Sequence, residues 1–169
     1  MKEMKHPPLI LAGVVALAAL SLASPLGASP DAGKLPLRID AIGDLTPNHA
    51  TVSGTFSLIG ASAAYTDSGS IKSENPVFLT KKTPQGQIFF SFQRTELLKG
   101  KHGALVLRLS ARLFPLPRTT TTAYVLTGTW SIVRGTGRYT GLKGGGGIVG
   151  SARADEPDVC RYEGYVTRP

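Results

Sequence analysis

Residues 104–113 read ALVLRLSARL. Leu105, Leu107, Leu109 and Leu113 fall on one side of this stretch, and Arg108, Ser110 and Arg112 on the other. A period of two belongs to a β-strand with one face in a core and one face in water. The same alternation recurs on either side. Val52, Gly54, Phe56 and Leu58 alternate with Thr51, Ser53, Thr55 and Ser57. Ile88, Phe90 and Phe92 alternate with Gln87, Ser91 and Gln93, although Phe89 interrupts the polar side. Tyr124, Leu126, Trp130 and Ile132 alternate with Thr127, Thr129 and Ser131. Gly or Pro breaks nearly every stretch long enough for an amphipathic helix. The pattern predicts strands over 38–44, 49–59, 63–73, 76–83, 87–97, 103–114, 121–133 and 147–153, with a ninth at 159–167. Regularly spaced antiparallel strands with one apolar face form a barrel or a sandwich, and closure removes the edges that Thr-rich strands would otherwise present. The expected fold is therefore all-β, an eight-stranded antiparallel β-barrel over residues 38–169.

The N-terminus carries an address. Lys2 and Lys5 precede the apolar run LILAGVVALAALSL at residues 9–22, and small residues follow at Ser21, Ala23 and Ala28. This is the three-part pattern of a cleavable secretory signal, with cleavage after Ala23 or Ala28. A spanning helix needs about 20 apolar residues, more than this run supplies. The sequence thus predicts a signal peptide over 1–28 and an extended linker over 29–37, marked by Pro30, Gly33 and Pro36. The exported domain would be secreted, periplasmic or held in the cell envelope, with no membrane span in its mature form.

Composition excludes several classes. A chain of 169 residues that is 41% hydrophobic can build one domain with a real core and is not a disordered chain. One cysteine cannot make a disulfide scaffold. The net charge of +8 is spread along the chain, with no run of four Lys or Arg. That pattern argues against specific nucleic-acid binding and leaves weak contact with anionic envelope polymers as the partner a basic surface implies.

Chemical motifs are sparse. Gly135, Gly137 and Gly141 give G-x-G-x-x-x-G within the glycine-rich stretch 128–150, one residue off a dinucleotide fingerprint. That fingerprint needs a helix to begin inside the glycines, whereas here more glycines lead to the strand-like Ile148 and Val149. Gly135 and Gly137 are instead expected to permit positive φ in a tight connection, with Tyr139 and Leu142 packing down from it. Gly144 to Gly147 would form a flexible or bulged start to the next strand. There is no G-x-S-x-G elbow, and the predicted mature chain has two histidines, His49 and His102, the latter in a Gly-flanked turn. No His or Cys spacing fits a metal site, and no cofactor fingerprint is present. Asp155, Glu156 and Asp158 read as a charged turn, since Pro157 sits among them and the glycine of a calcium loop is missing. Asp67 and Glu163 lie on strand-like stretches, either as a carboxylate pair or as partners for an internal Arg94, Arg108 or Arg161. Cys160 shares a strand face with Tyr162 and Val166, which points to burial rather than to a link between chains.

The stretch WSIVRGTGRYTGLKG at residues 130–144 resembles the signature of small exported bacterial proteins with an allene oxide cyclase-like barrel. Gly54-Thr55-Phe56, Asp67-Ser68-Gly69 and Gly100-Lys101-His102-Gly103 agree with that resemblance, so it covers most of the predicted mature chain. It implies an eight-stranded antiparallel barrel shared with plant allene oxide cyclases and dirigent proteins. In those relatives the cavity guides cyclisation of a reactive lipid or phenoxy-radical coupling. Their catalytic residues do not map onto positions here, and fold similarity alone transfers no reaction.

Three function classes follow. The first is a non-enzymatic module holding an apolar or aromatic small molecule in the barrel, with Phe56, Phe90, Phe92, Tyr124 and Trp130 either lining a cavity or simply filling the interior as core. The second is a cofactor-free isomerase or cyclase that confines a reactive intermediate, for which Asp67, Tyr139 and Glu163 are the candidate catalytic residues. The third is an envelope-associated structural or partner-binding protein using its basic outer surface. An open cavity with inward Asp, Glu or Arg would favour the first two, whereas a dry, filled barrel would leave only the surface roles of the third.

Overall fold

A computed structural model describes residues 33–44, 51–60, 66–74, 77–116, 123–153 and 156–168. The predicted signal peptide and its cleavage points, His49 and Asp155 lie outside the described residues. Strands run over Lys34–Asp44 (β1), Thr51–Gly60 (β2), Asp67–Glu74 (β3), Leu79–Lys82 (β4), Ile88–Gly100 (β5), Ala104–Pro115 (β6), Ala123–Gly135 (β7), Lys143–Arg153 (β8) and Glu156–Thr167 (β9). All neighbours pair antiparallel, in the order β3-β2-β1-β9-β8-β7-β6-β5, and β3 pairs again with β5 to close the ring. The result is the expected eight-stranded barrel.

Two staves differ from expectation. The ninth strand at β9 belongs to the ring, and β4 lies outside it. β3 takes the Glu96–Gly100 half of one β5 edge, which leaves Ile88–Ser91 on that edge to pair with β4. Every β4 residue is exposed, as expected for a four-residue strand without an apolar face. β1 begins at Lys34, inside the segment read as linker. Pro36 fits there because β1 is still an edge at that position: Pro36 faces Tyr165 of β9, and pairing with β2 starts only at Leu37.

The inward faces follow the period of two. Leu105, Leu107, Leu109 and Leu113 are buried, and Ala111 fills the fifth inward position on β6. Ile39, Leu58, Ile71, Leu98, Leu126, Ile148 and Tyr162 meet them in a single core. Burying one such aliphatic side chain contributes roughly 1.5–3 kcal/mol, so this core is the main stabilising element. Phe56, Phe92 and Trp130 belong to it, and the half-buried Phe90 and Tyr124 pack against it.

The glycine tract is not a flexible connection. Gly145 to Gly147 are paired on both sides, with β7 and with β9, and Gly144 is paired with β9. The reason is close approach: Gly146 faces Gly164, and a Cβ on Gly146 would collide with the Glu163 carbonyl oxygen and the Gly164 Cα. Gly147 points outward, and the nearest atom to a Cβ there is the Gly128 carbonyl oxygen at 4.0 Å. Neighbouring glycines should therefore respond oppositely. Gly146→Ala is expected to lose about 1–3 kcal/mol through overpacking. Gly147→Ala should stay within about 0.5 kcal/mol of the parent. Urea denaturation of the two variants checks this, and equal losses would contradict the close-approach account.

Candidate functional site

Polar side chains converge inside the barrel at two places. The first closes the end where β5 turns into β6. Asp67 opens β3, and its carboxylate accepts the backbone N–H groups of Ser68 (2.8 Å), Lys101 (3.0 Å) and His102 (3.1 Å). It also accepts the Tyr139 hydroxyl at 2.6 Å. Tyr139 sits in a 3-10 turn over Gly137–Tyr139, which is tied to the β5–β6 turn by the Arg138 N–H donating to the His102 carbonyl at 2.9 Å. Gly137 supplies the left-handed φ of 62° that starts this turn. Gly135 stays in strand β7. It is required for another reason, because a Cβ there would strike Tyr139. Tyr139 and Leu142 are both buried over this barrel end, as the sequence predicts.

This arrangement fixes the proton states. Burial alone would raise the Asp67 carboxyl, but the Tyr139 hydroxyl and three N–H donors outweigh it and hold the pKa at about 2. Burial, reinforced by Asp67, pushes the Tyr139 phenol above its ordinary value. Near neutral pH the Asp67 carboxyl is therefore ionised, while the Tyr139 phenol keeps its proton and donates it to the carboxylate. The geometry is that of a latch joining three connections.

The second place lies deeper. β5 puts Phe92, Arg94, Glu96 and Leu98 on its inward face. Arg94 Nη2 contacts Glu96 Oε1 as an ion pair, with side chains 1% and 0% exposed. The Tyr162 hydroxyl donates to Glu96 Oε2 at 2.8 Å. The Arg94 guanidinium lies 5.3 Å from the centre of the Phe92 ring, and Trp130 meets Tyr162 edge-on with ring centres 6.5 Å apart. Cys160 and Asp158 follow Tyr162 along the inward face of β9, and both are buried. Burial pushes the Cys160 thiol up to about 12, with Glu96 and Asp158 adding to the shift and Arg94 opposing it. This thiol is protonated, so it is a poor nucleophile. Arg94 Nε, Trp130 Nε1 and Ser73 Oγ are buried donors that make no hydrogen bond. Ser73 sits opposite Glu96 on the adjoining strand, and Leu109 lies in register between Arg94 and Trp130.

The sequence-predicted residues divide accordingly. Asp67 and Tyr139 meet in the latch, while Glu163 is exposed on the outer wall opposite Arg38. Tyr162 takes the inward position, so alternation turns Glu163 out. Arg94 is the internal arginine; Arg108 and Arg161 face solvent. Its partner is Glu96, two residues along the same strand, which sequence reasoning passed over in favour of distant acids. Parity with Phe92 and Leu98 was the signal that marks it. Glu156 pairs with Arg153, and among the described residues no three His, Cys, Asp or Glu side chains gather as a metal site. Also among the described residues, no helix is long and apolar enough to cross a membrane. The chain matches no family model, no curated protein and no solved structure.

Proposed function

We propose that this protein is an exported barrel of the allene oxide cyclase-like kind that holds one small apolar or aromatic molecule bearing a hydrogen-bond-accepting oxygen. The observation that carries this reading is the set of buried donors at Arg94 Nε, Trp130 Nε1 and Ser73 Oγ, which no protein acceptor satisfies. A buried donor left unpaired costs about 1–3 kcal/mol, and an acceptor oxygen among aromatic rings relieves that cost. Phe56, Phe92 and Trp130 supply the apolar surroundings, with Phe90 and Tyr124 nearer the barrel end away from the Asp67 latch. The signal-like N-terminus and the sequence resemblance support export and the family.

A second reading, a cofactor-free isomerase or cyclase, is favoured by Glu96. A carboxylate held at 0% exposure between a guanidinium and a phenol is a preorganised charge, which stabilises charge developing on a confined intermediate. Native mass spectrometry of the protein isolated from its own source tests both. The expected result is a stoichiometric adduct that is lost on denaturation and weakened several-fold by Trp130→Phe, which removes the indole N–H and keeps an aromatic ring. Conversion of the released compound on re-incubation would select the enzyme. A bare mass after exposure to lipid and phenolic extracts would overturn both readings.

A further inference from the structure

The outer wall of β4 to β7 differs from the rest of the surface. Register places nine outward positions of β5, β6 and β7 in three rows. Ser91, Arg112 and Thr127 form the first row and Gln93, Ser110 and Thr129 the second. Thr95, Arg108 and Ser131 form the third. Each of the nine carries a hydroxyl, an amide or a guanidinium. Neighbouring strands lie about 4.8 Å apart and successive rows about 6.6 Å apart, so the grid is regularly spaced. β4 walls one side with Leu79 and Lys81, making a groove of about 690 Å³.

Charge on this wall has one sign. Lys81, Lys82, Lys99, Arg108, Arg112 and Arg134 are exposed on β4 to β7, and the one acid on these strands, Glu96, points inward. Across the ring two outward arginines have an acid beside them. Arg38 and Arg161 share Asp40, at 2.8 and 3.1 Å. Arg108 and Arg112 have no acidic partner among the described residues. Arg112 is nonetheless held in place, 5.5 Å above the centre of the Phe89 ring, which stacks on Phe114.

We infer that this groove binds an acidic polysaccharide lying along β6. Arg112 lines the groove and Arg108 stands just beyond it, about 13 Å away along β6, and the two would receive acid groups of the chain, with Ser110 between them. The flanking Ser, Thr and Gln side chains match sugar hydroxyls as donors and acceptors. Other polyanions fit less well. None of the nine grid positions is aromatic, so nucleic-acid bases have no face to stack on. The exposed apolar side chains of the groove, Val77 and Leu79, stand on its wall rather than on the grid. The site lies outside the barrel and does not depend on the interior reading.

Calorimetry on the full-length protein tests the inference, with polygalacturonate as probe against neutral dextran, single-stranded DNA and phosphatidylglycerol vesicles. The expected result is binding to polygalacturonate alone, weakening as salt rises. Arg108→Gln with Arg112→Gln should reduce affinity at least about tenfold, the scale of one charge-assisted hydrogen bond. Ser110→Ala, Thr127→Val and Thr129→Val together should reduce it several-fold with no change of charge. Arg138→Gln with Lys143→Gln, which removes two charges near the Asp67 end, should leave it unchanged. The inference is overturned if that control loses as much, if the hydroxyl variant binds like the parent, or if DNA or vesicles bind as tightly. Trp130 emission reports folding in every variant, and the hydroxyl variant decides the matter if the arginine variant does not fold.

Discussion

Asp67→Ala is expected to remove about 3–5 kcal/mol of stability, a large part of what a domain of this size possesses. The carboxylate accepts four hydrogen bonds, and bonds to a charged acceptor contribute about 1.5–3 kcal/mol each before non-additivity. The alanine variant leaves the Tyr139 hydroxyl and three N–H groups competing for no acceptor at a barrel end. Tyr139→Phe deletes one donor of four and should cost about 1.5–3 kcal/mol. The same site predicts acid sensitivity. The folded Asp67 carboxyl sits at about 2, below its ordinary 3.8, so its contribution is fully present above pH 4 and is lost as pH falls toward 2. Asp40, whose carboxyl is also lowered, titrates in the same direction. The difference between the parent and Asp67→Asn in urea denaturation at pH 7 and pH 2.5 therefore isolates Asp67. The gap between them should narrow in acid. A gap that stays constant would mean that the carboxylate's charge contributes nothing to the latch.

The latch also shows where sequence reading stops. Asp67 and Tyr139 are 72 positions apart, and neither has a local pattern that names the other. Their pairing follows only once closure of the ring brings the β5–β6 turn under the 3-10 turn. By contrast, the inward faces of β2, β6 and β7 were legible because burial on one face imposes parity on every residue of a strand. Trp130 and Leu107 could be placed inside from their neighbours alone. The glycine tract misled for a definite reason. Composition reports what a glycine permits, while the partner strand decides what it is for, and Gly146 is set by Gly164 across the ladder. Leu79–Lys82 looked like a barrel stave, yet its alternation puts Leu79 with Lys81 and Thr80 with Lys82, so neither side is apolar. That absence was readable and marks an edge strand.

Glu96→Leu is expected to destabilise the barrel by about 3–5 kcal/mol, because it leaves the Arg94 guanidinium charged at 1% exposure with no counter-ion. The paired replacement should behave differently. Arg94→Met with Glu96→Leu removes both charges, and adding Tyr162→Phe removes the hydroxyl that would lose its acceptor. Apolar replacement of a buried ion pair is often neutral or stabilising by about 1–4 kcal/mol. The triple variant should therefore regain the stability lost by Glu96→Leu, and a double-mutant cycle would report the coupling directly. Stability alone then gives no reason for a charge pair among Phe92, Trp130 and Tyr162. The proposed binding role supplies one: the pair would present an oriented guanidinium with Nε unpaired, and a carboxylate fixed from two sides, to the bound molecule. The stable triple variant should accordingly lose the small-molecule adduct. A triple variant that folds and still carries the adduct would remove Arg94 and Glu96 from the binding account. One that stays as unstable as Glu96→Leu would show the ion pair to be a structural requirement of the ring.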